Sequence, residues 1–237
     1  MRPAKRRRTG FLSTGRTTMR NTFFIGATAL ALLAGLSATR ADDAKKPTDK
    51  AAAGGFFDGK TLDGWEGLPE FWSVKDGAIV GAYADKALTH NTFLWGKKSY
   101  KDFELSFKIR LKGGEGNSGV QIRSKILDPK QLTASGPQCD IGQAYWGSLY
   151  GENFGGMMKA SNFDEVKKTL KADDFNDYAI KVVGKHVTIK LNGETTVDED
   201  FEKLPDDGKI GWQLHAGFPF MEVTFKDIQF KDLGAGK

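Results

Sequence analysis

Phe103-Glu104-Leu105-Ser106-Phe107-Lys108-Ile109-Arg110-Leu111 carries an apolar side chain at every odd position and a polar one at every even position. A period of two puts the five apolar residues on one face of an extended chain and the other four on the opposite face, which predicts a strand with one side on a core. The same period recurs downstream. Tyr178, Ile180 and Val182 lead through Gly184-Lys185 to Val187, Ile189 and Leu191, a hairpin, and Asn192-Gly193 begins a further turn of the primed kind. Ile210, Trp212 and Leu214 alternate with Gly211, Gln213 and His215, and Met221, Val223 and Phe225 with Glu222, Thr224 and Lys226. Beyond Asp227 the apolar phase moves to Ile228 and Phe230, which predicts a β-bulge near Lys226-Asp227. Helical spacing is confined to Phe163–Leu170. Many short strands with Gly and Asn turns predict an all-β fold, a two-sheet antiparallel β-sandwich of jelly-roll type.

Working outward to the termini, residues 1–41 read as a signal peptide. Arg2, Lys5, Arg6, Arg7, Arg8, Arg16 and Arg20 precede the apolar run Phe23–Leu36, and Thr39-Arg40-Ala41 offers small residues for cleavage after Ala41. That run has 14 residues, fewer than the roughly 20 a membrane-crossing helix needs, so no membrane attachment is expected once the leader is removed. The expected location is periplasmic or extracellular. Residues 42–54, rich in Lys, Ala, Asp and Pro, read as a flexible linker, and 55–237 as one domain.

The leader also decides the charge. The whole chain is +5, with 35 Lys and Arg against 30 Asp and Glu; eight of the basic residues and none of the acids lie in 1–41, which leaves 27 against 30. The mature part is therefore slightly acidic. Nucleic acid and anionic membranes are excluded as expected partners, and a small uncharged ligand is favoured. Cys139 is the single cysteine, so no internal disulfide can form and a buried thiol is expected.

Candidate functional residues cluster from Gly116 to Glu152, where Asn117, Gln121, Arg123, Gln138, Asp140, Tyr145, Trp146, Tyr150 and Glu152 stand among glycines. Planar amides, carboxylates and Arg forks make paired hydrogen bonds to sugar hydroxyls, and aromatic faces cover the C–H side of a pyranose. With Val120, Ile122, Cys139, Ile141, Trp212 and Leu214 pointing into the sandwich, alternation turns Gln121, Arg123, Gln138, Asp140, Gln213 and His215 outward to line a groove. A merely solvated face would be expected to use Lys and Glu, as the outward side of Phe103–Leu111 does.

The domain resembles a family of secreted bacterial proteins, the 3-keto-disaccharide hydrolase domain. The likeness spans Phe56–Leu233 and is carried by Phe57-Asp58-Gly59-Lys60-Thr61-Leu62-Asp63-Gly64-Trp65, Trp72-Ser73-Val74-Lys75-Asp76-Gly77, Tyr100-Lys101-Asp102-Phe103-Glu104-Leu105, Gly116-Asn117-Ser118-Gly119-Val120-Gln121-Ile122-Arg123-Ser124, Gln213-Leu214-His215 and Val223-Thr224-Phe225-Lys226-Asp227-Ile228. It implies a concanavalin-like jelly roll and hydrolysis of glycosides oxidised at C3. Two positions depart from the family pattern. Gln138-Cys139-Asp140 stands where many members have Glu-x-Gln, and Lys226 where Arg is frequent.

A C3 ketone acidifies the C2 proton, so one base, one acid for the leaving oxygen and support for an enolate suffice. The expected roles are Asp140 or His215 as base, Glu152 as acid or its partner, and Arg123 with Gln213 as oxyanion support. Asn117, Gln121, Gln138, Tyr145, Trp146 and Tyr150 are expected to bind substrate, as is Gln213. The ordinary retaining glycosidase route is disfavoured, because it needs paired carboxylates about 5 to 5.5 Å apart. Jelly-roll glucanases supply them from two Glu four residues apart, and here Gln138 and Gly142 occupy those places. A non-catalytic, lectin-like carbohydrate-binding module is the alternative. No cofactor is expected, and no His pair has zinc spacing; a divalent ion assembled from distant loops stays open.

Overall fold

A computed structural model describes residues 55–84 and 88–234. The expected leader and the whole of the expected linker lie outside the described residues. In chain order the elements are β1 (Trp65–Glu66), β2 (Trp72–Lys75), β3 (Ala78–Tyr83), β4 (Thr92–Tyr100), β5 (Phe103–Leu111), β6 (Asn117–Asp128), β7 (Thr133–Gly142), β8 (Leu149–Glu152), β9 (Gly156–Lys159), α1 (Phe163–Thr169), β10 (Asn176–Val183), β11 (His186–Leu191), β12 (Glu194–Asp200), β13 (Gly208–Leu214) and β14 (Met221–Asp232). They form two antiparallel seven-stranded sheets, ordered β1-β4-β13-β6-β7-β8-β9 and β12-β11-β10-β5-β14-β3-β2. The architecture is the β-sandwich that alternation predicts. Among the described residues no helix is long and apolar enough to cross a membrane.

The core lies where the inner faces meet. Phe103, Leu105, Phe107, Ile109 and Leu111 are all buried there, facing Val120, Ile122, Cys139, Ile141, Trp212 and Leu214 of the first sheet. At its centre Trp212 packs against Phe225 at 4.5 Å and stands perpendicular to Phe107 at 5.1 Å between ring centres, edge-to-face geometry that adds to simple area burial. The β10–β11 hairpin turns at Gly184-Lys185, and Asn192 and Gly193 both take positive φ between β11 and β12, as a primed turn requires. The bulge in β14 is present as well: the register shifts between Lys226 and Gln229, Asp227 has φ 53°, and Ile228 and Phe230 then pack on the core.

A second bulge, at Arg123 in β6, carries a correction. Arg123 has φ 46° and the β6–β7 register shifts between Gln121 and Lys125. The bulge reverses the alternation, so Ile126 joins an apolar cluster on the outer face while Arg123 does not line that face at all. Its guanidinium donates to the carbonyls of Lys101, Gly184 and Pro205 and pairs with Asp102 at 2.9 Å. These partners come from the β4–β5, β10–β11 and β12–β13 connections. Arg123 therefore ties the first sheet to two connections that cross between the sheets and to one turn of the second.

Candidate functional site

The outer face of the first sheet is strongly curled. Four strand-to-strand steps separate β4 from β8, about 19 Å in a flat sheet at about 4.8 Å per step. Yet Asn91, one residue before β4, donates to Glu152 Oε1 at the end of β8 over 3.3 Å. The β6–β7 hairpin folds over the same face. Thr92 donates to Gln131 O at 2.9 Å, Trp95 to Leu132 O at 3.1 Å, and Asn153 to Ala134 O at 2.9 Å. Leu132 and Ala134 thereby seal Phe93 and Trp95 into a small apolar cluster.

Under this cover the amides form a ladder. Gln121 Nε2 donates to Gln138 Oε1 at 2.8 Å, and Gln138 Nε2 donates to Asp140 Oδ1 at 2.7 Å and to Gln213 Oε1 at 3.3 Å. Two residues without side chains make room here, Gly119 for the ladder and Gly211 for the Trp95 ring. A Cβ on Gly119 would stand 2.5 Å from the Gln138 side chain, and one on Gly211 would stand 2.7 Å from the Trp95 ring. Gln121, Gln138 and Gln213 are at most 2% exposed. Expected as direct sugar ligands, they lie instead beneath the surface as a frame for Asp140. Buried Gln121 Oε1 and Gln213 Nε2 have no partner among the described residues, a state that costs on the order of 1–3 kcal/mol per group when nothing pairs them.

Asp140 is held from both sides. Its N–H donates to Ser148 O at 2.9 Å, and its carbonyl accepts from Gly147 N at 3.0 Å and, across the core, from Tyr178 Oη at 3.1 Å. The carboxyl is 5% exposed as a residue and its pKa is pushed up to about 7. Burial is the main cause; the Gln138 hydrogen bond pulls the other way, and the charge of Glu152 adds to the rise.

Register places the remaining expected residues. Tyr150 lies opposite Gln138 and Glu152 opposite Gly136, so both share the face of Asp140, as does Asn117 opposite Gly142. His215 follows β13 by one residue; its carbonyl accepts from Tyr83 Oη at 3.0 Å, and Nδ1 bonds Ala216 O, which leaves Nε2 as the acceptor nitrogen of the neutral ring. Asn91 joins it to the face by accepting from Ala216 N at 3.0 Å while holding Glu152. Sequence reasoning missed Asn91, although the alternation Asn91, Phe93, Trp95 places it on the outer face.

Two expected residues stand apart from this face. Arg123 points off it, with four of its five N–H donors engaged by Lys101, Gly184, Pro205 and Asp102. Trp146, expected to touch ligand, is 6% exposed in the core, where it lines a cavity of about 40 Å³ with Leu111 and Leu170. Its neighbour Tyr145 closes the short 3-10 turn Gln143–Tyr145 and is 44% exposed. A cleft of about 450 Å³ around Tyr100, Asp206, Asp207 and Asp232 contains none of the expected site residues. Among the described residues, no three His, Cys, Asp or Glu side chains converge as a metal cage would.

The fold and this face define a jelly-roll domain of the carbohydrate-active, glycosyl hydrolase-like class. The chain belongs to the family of 3-keto-alpha-glucoside-1,2-lyase-like domains, whose pattern it matches over residues 53–231. Among solved structures it is similar to a candidate glycosyl hydrolase from Parabacteroides distasonis ATCC 8503, with 22% identity over 73% of this chain and 96% of that one, TM-score 0.53. It is also similar to the carbohydrate-binding module CBM66 from Bacillus subtilis, with 15% identity over 71% and 96% of the two chains, TM-score 0.50. A Bacillus subtilis protein with a galectin-like fold has 13% identity over 72% and 90%, TM-score 0.51. These three likenesses are of fold. No curated protein matches the chain in sequence.

Proposed function

We propose that this chain cleaves glycosides whose sugar carries a ketone at C3, with Asp140 as the base. Asp140 takes the C2 proton, and the electron pair left on C2 moves into the C3 carbonyl as an enolate. The enolate collapses to a C1=C2 double bond as the C1–O bond breaks, and the leaving oxygen takes the proton that Asp140 has accepted, directly or through Glu152. Water then adds its hydroxyl to C1 and a proton to C2, so the net change is hydrolysis. Asn117, on the same face, takes the oxyanion-support role that Arg123 cannot fill.

The observation that carries this reading is Asp140 itself, a carboxyl buried among amides and poised at about 7, in a family described by cleavage of 3-keto-α-glucosides. A base poised near working pH combines a usable ionised fraction with a usable driving force. The test is to incubate the purified protein with 3-keto-trehalose in deuterated water. Free sugar with deuterium at C2 is the expected result. Binding of the sugar, oxidised or unoxidised, without turnover would replace this reading with the lectin-like one. Export belongs to the same proposal: protein recovered from the periplasm or medium should begin at Asp42 on N-terminal sequencing.

A further inference from the structure

The Gln138 side chain leaves β7 and lies across β6 at Gly119, where a Cβ would stand 2.5 Å from its Cδ. An ionised Asp140 fixes the sense of the Gln138 amide. The oxygen accepts from Gln121, while the nitrogen serves Asp140 and Gln213 together; a flip would set oxygen against two acceptor oxygens and nitrogen against a donor. Of the other ionisable groups near Asp140, Glu152 from β8 shares its face, whereas Cys139 on its own strand and Tyr178 from β10 lie on the core side, where Tyr178 meets the Asp140 carbonyl. Burial pushes the Cys139 thiol and the Tyr178 phenol up, so both stay protonated, and Glu152 repels a second negative charge. Gln138 is the donor that reaches the carboxylate.

We infer that Gln138 is a positioning residue that engages Asp140 through Oδ1 and so assigns Oδ2 as the oxygen that receives the substrate proton. The identity of the reaction rests on the elimination proposed above; the tie between the two side chains does not. A fixed Oδ1 sets the direction in which the Oδ2 lone pairs point, and a single donated hydrogen bond keeps a buried acid from rising beyond the range in which it can act as a base.

Two measurements on Gln138→Met, which keeps side-chain length and removes both donors, separate these ideas. One is the carbon-13 titration of the Asp140 carboxyl in the free protein, and the other is the pH profile of turnover on a 3-keto-glucoside. Both midpoints should move up by about one pH unit, and kcat at pH 7 should fall about fivefold with KM little changed. Gly119→Ala, which displaces Gln138 without altering it, should move them the same way. Gln138→Glu has the native shape and should raise the carboxyl midpoint further, because two neighbouring acids then share a proton; it serves where Gln138→Met fails to fold. An unmoved carboxyl midpoint in the folded variants overturns the tie, even if turnover is seen. A moved midpoint in a protein that turns nothing over upholds the tie and removes the elimination reading.

Discussion

Arg123 and Asp140 are both buried ionisable residues on adjacent strands of one sheet, and they differ in how fully their surroundings answer them. Three carbonyls and the Asp102 carboxylate converge on the guanidinium. The Asp140 carboxyl receives one donor, from Gln138, and faces the like charge of Glu152. The Arg123 cluster is architecture, because four of its five N–H donors are committed to turn carbonyls and to Asp102. Asp140 is kept short of partners, which is how a fold holds an acid at a pKa useful for proton transfer.

The sharpest way to break this contrast is to neutralise each residue in turn. Asp140→Asn should cut turnover of a 3-keto-glucoside by a factor of about 10²–10⁴ while leaving the fold intact, as circular dichroism and a steady-state assay would show. Arg123→Met should do the reverse: unfolding in urea should show a loss of about 3–5 kcal/mol, with turnover per folded molecule retained. Comparable activity losses in the two variants would erase the distinction.

pH sharpens it further. Because the folded-state pKa of Asp140 is raised above its unfolded value of 3.8 to about 7, its protonated form is favoured by the fold. Its contribution is complete below the unfolded value and is lost as pH rises from there through about 7. The cost at pH 8 is on the order of 4 kcal/mol. Denaturation series at pH 5 and pH 8 should show that Asp140→Asn removes this part of the slope and is more stable than the parent at the higher pH. Arg123→Met should leave the slope in place. The smallest effect should come at the surface: Tyr145→Ala should change stability by less than about 0.5 kcal/mol and, where its ring stacks on sugar, raise KM about threefold to tenfold.

The two bulges show what the sequence reveals and what it hides. In β14 the apolar residues visibly change phase, from Phe225 to Ile228 and Phe230, so the irregularity can be read directly. In β6 they do not. Val120, Ile122 and Ile126 keep even numbering throughout, because Ile126 is apolar on the outer face for its own reason, the cluster with Leu132 and Trp95. The break at Arg123 is masked, and the residue is read onto the wrong surface. For the unbroken strands alternation succeeds, and Gln121, Gln138, Asp140 and Gln213 share one face as expected. Their depth was not legible, since it depends on how far the sheet curls and on a hairpin folding back, both set by contacts distant in sequence. Trp146 was misjudged for a related reason: an indole beside glycines carries no local mark of the side of the turn on which it will settle.

The departure at Gln138-Cys139-Asp140 takes on a physical meaning. Positions 138 and 140 project to the same side, so exchanging Glu-x-Gln for Gln-x-Asp keeps one acid and one amide two residues apart and swaps their order.

The short reach between Asn91 and Glu152 joins two distant margins of the curled sheet through one side-chain hydrogen bond. Asn91 also accepts from Ala216 N, the residue after His215, so one amide clasps both margins, and its loss would loosen the two together.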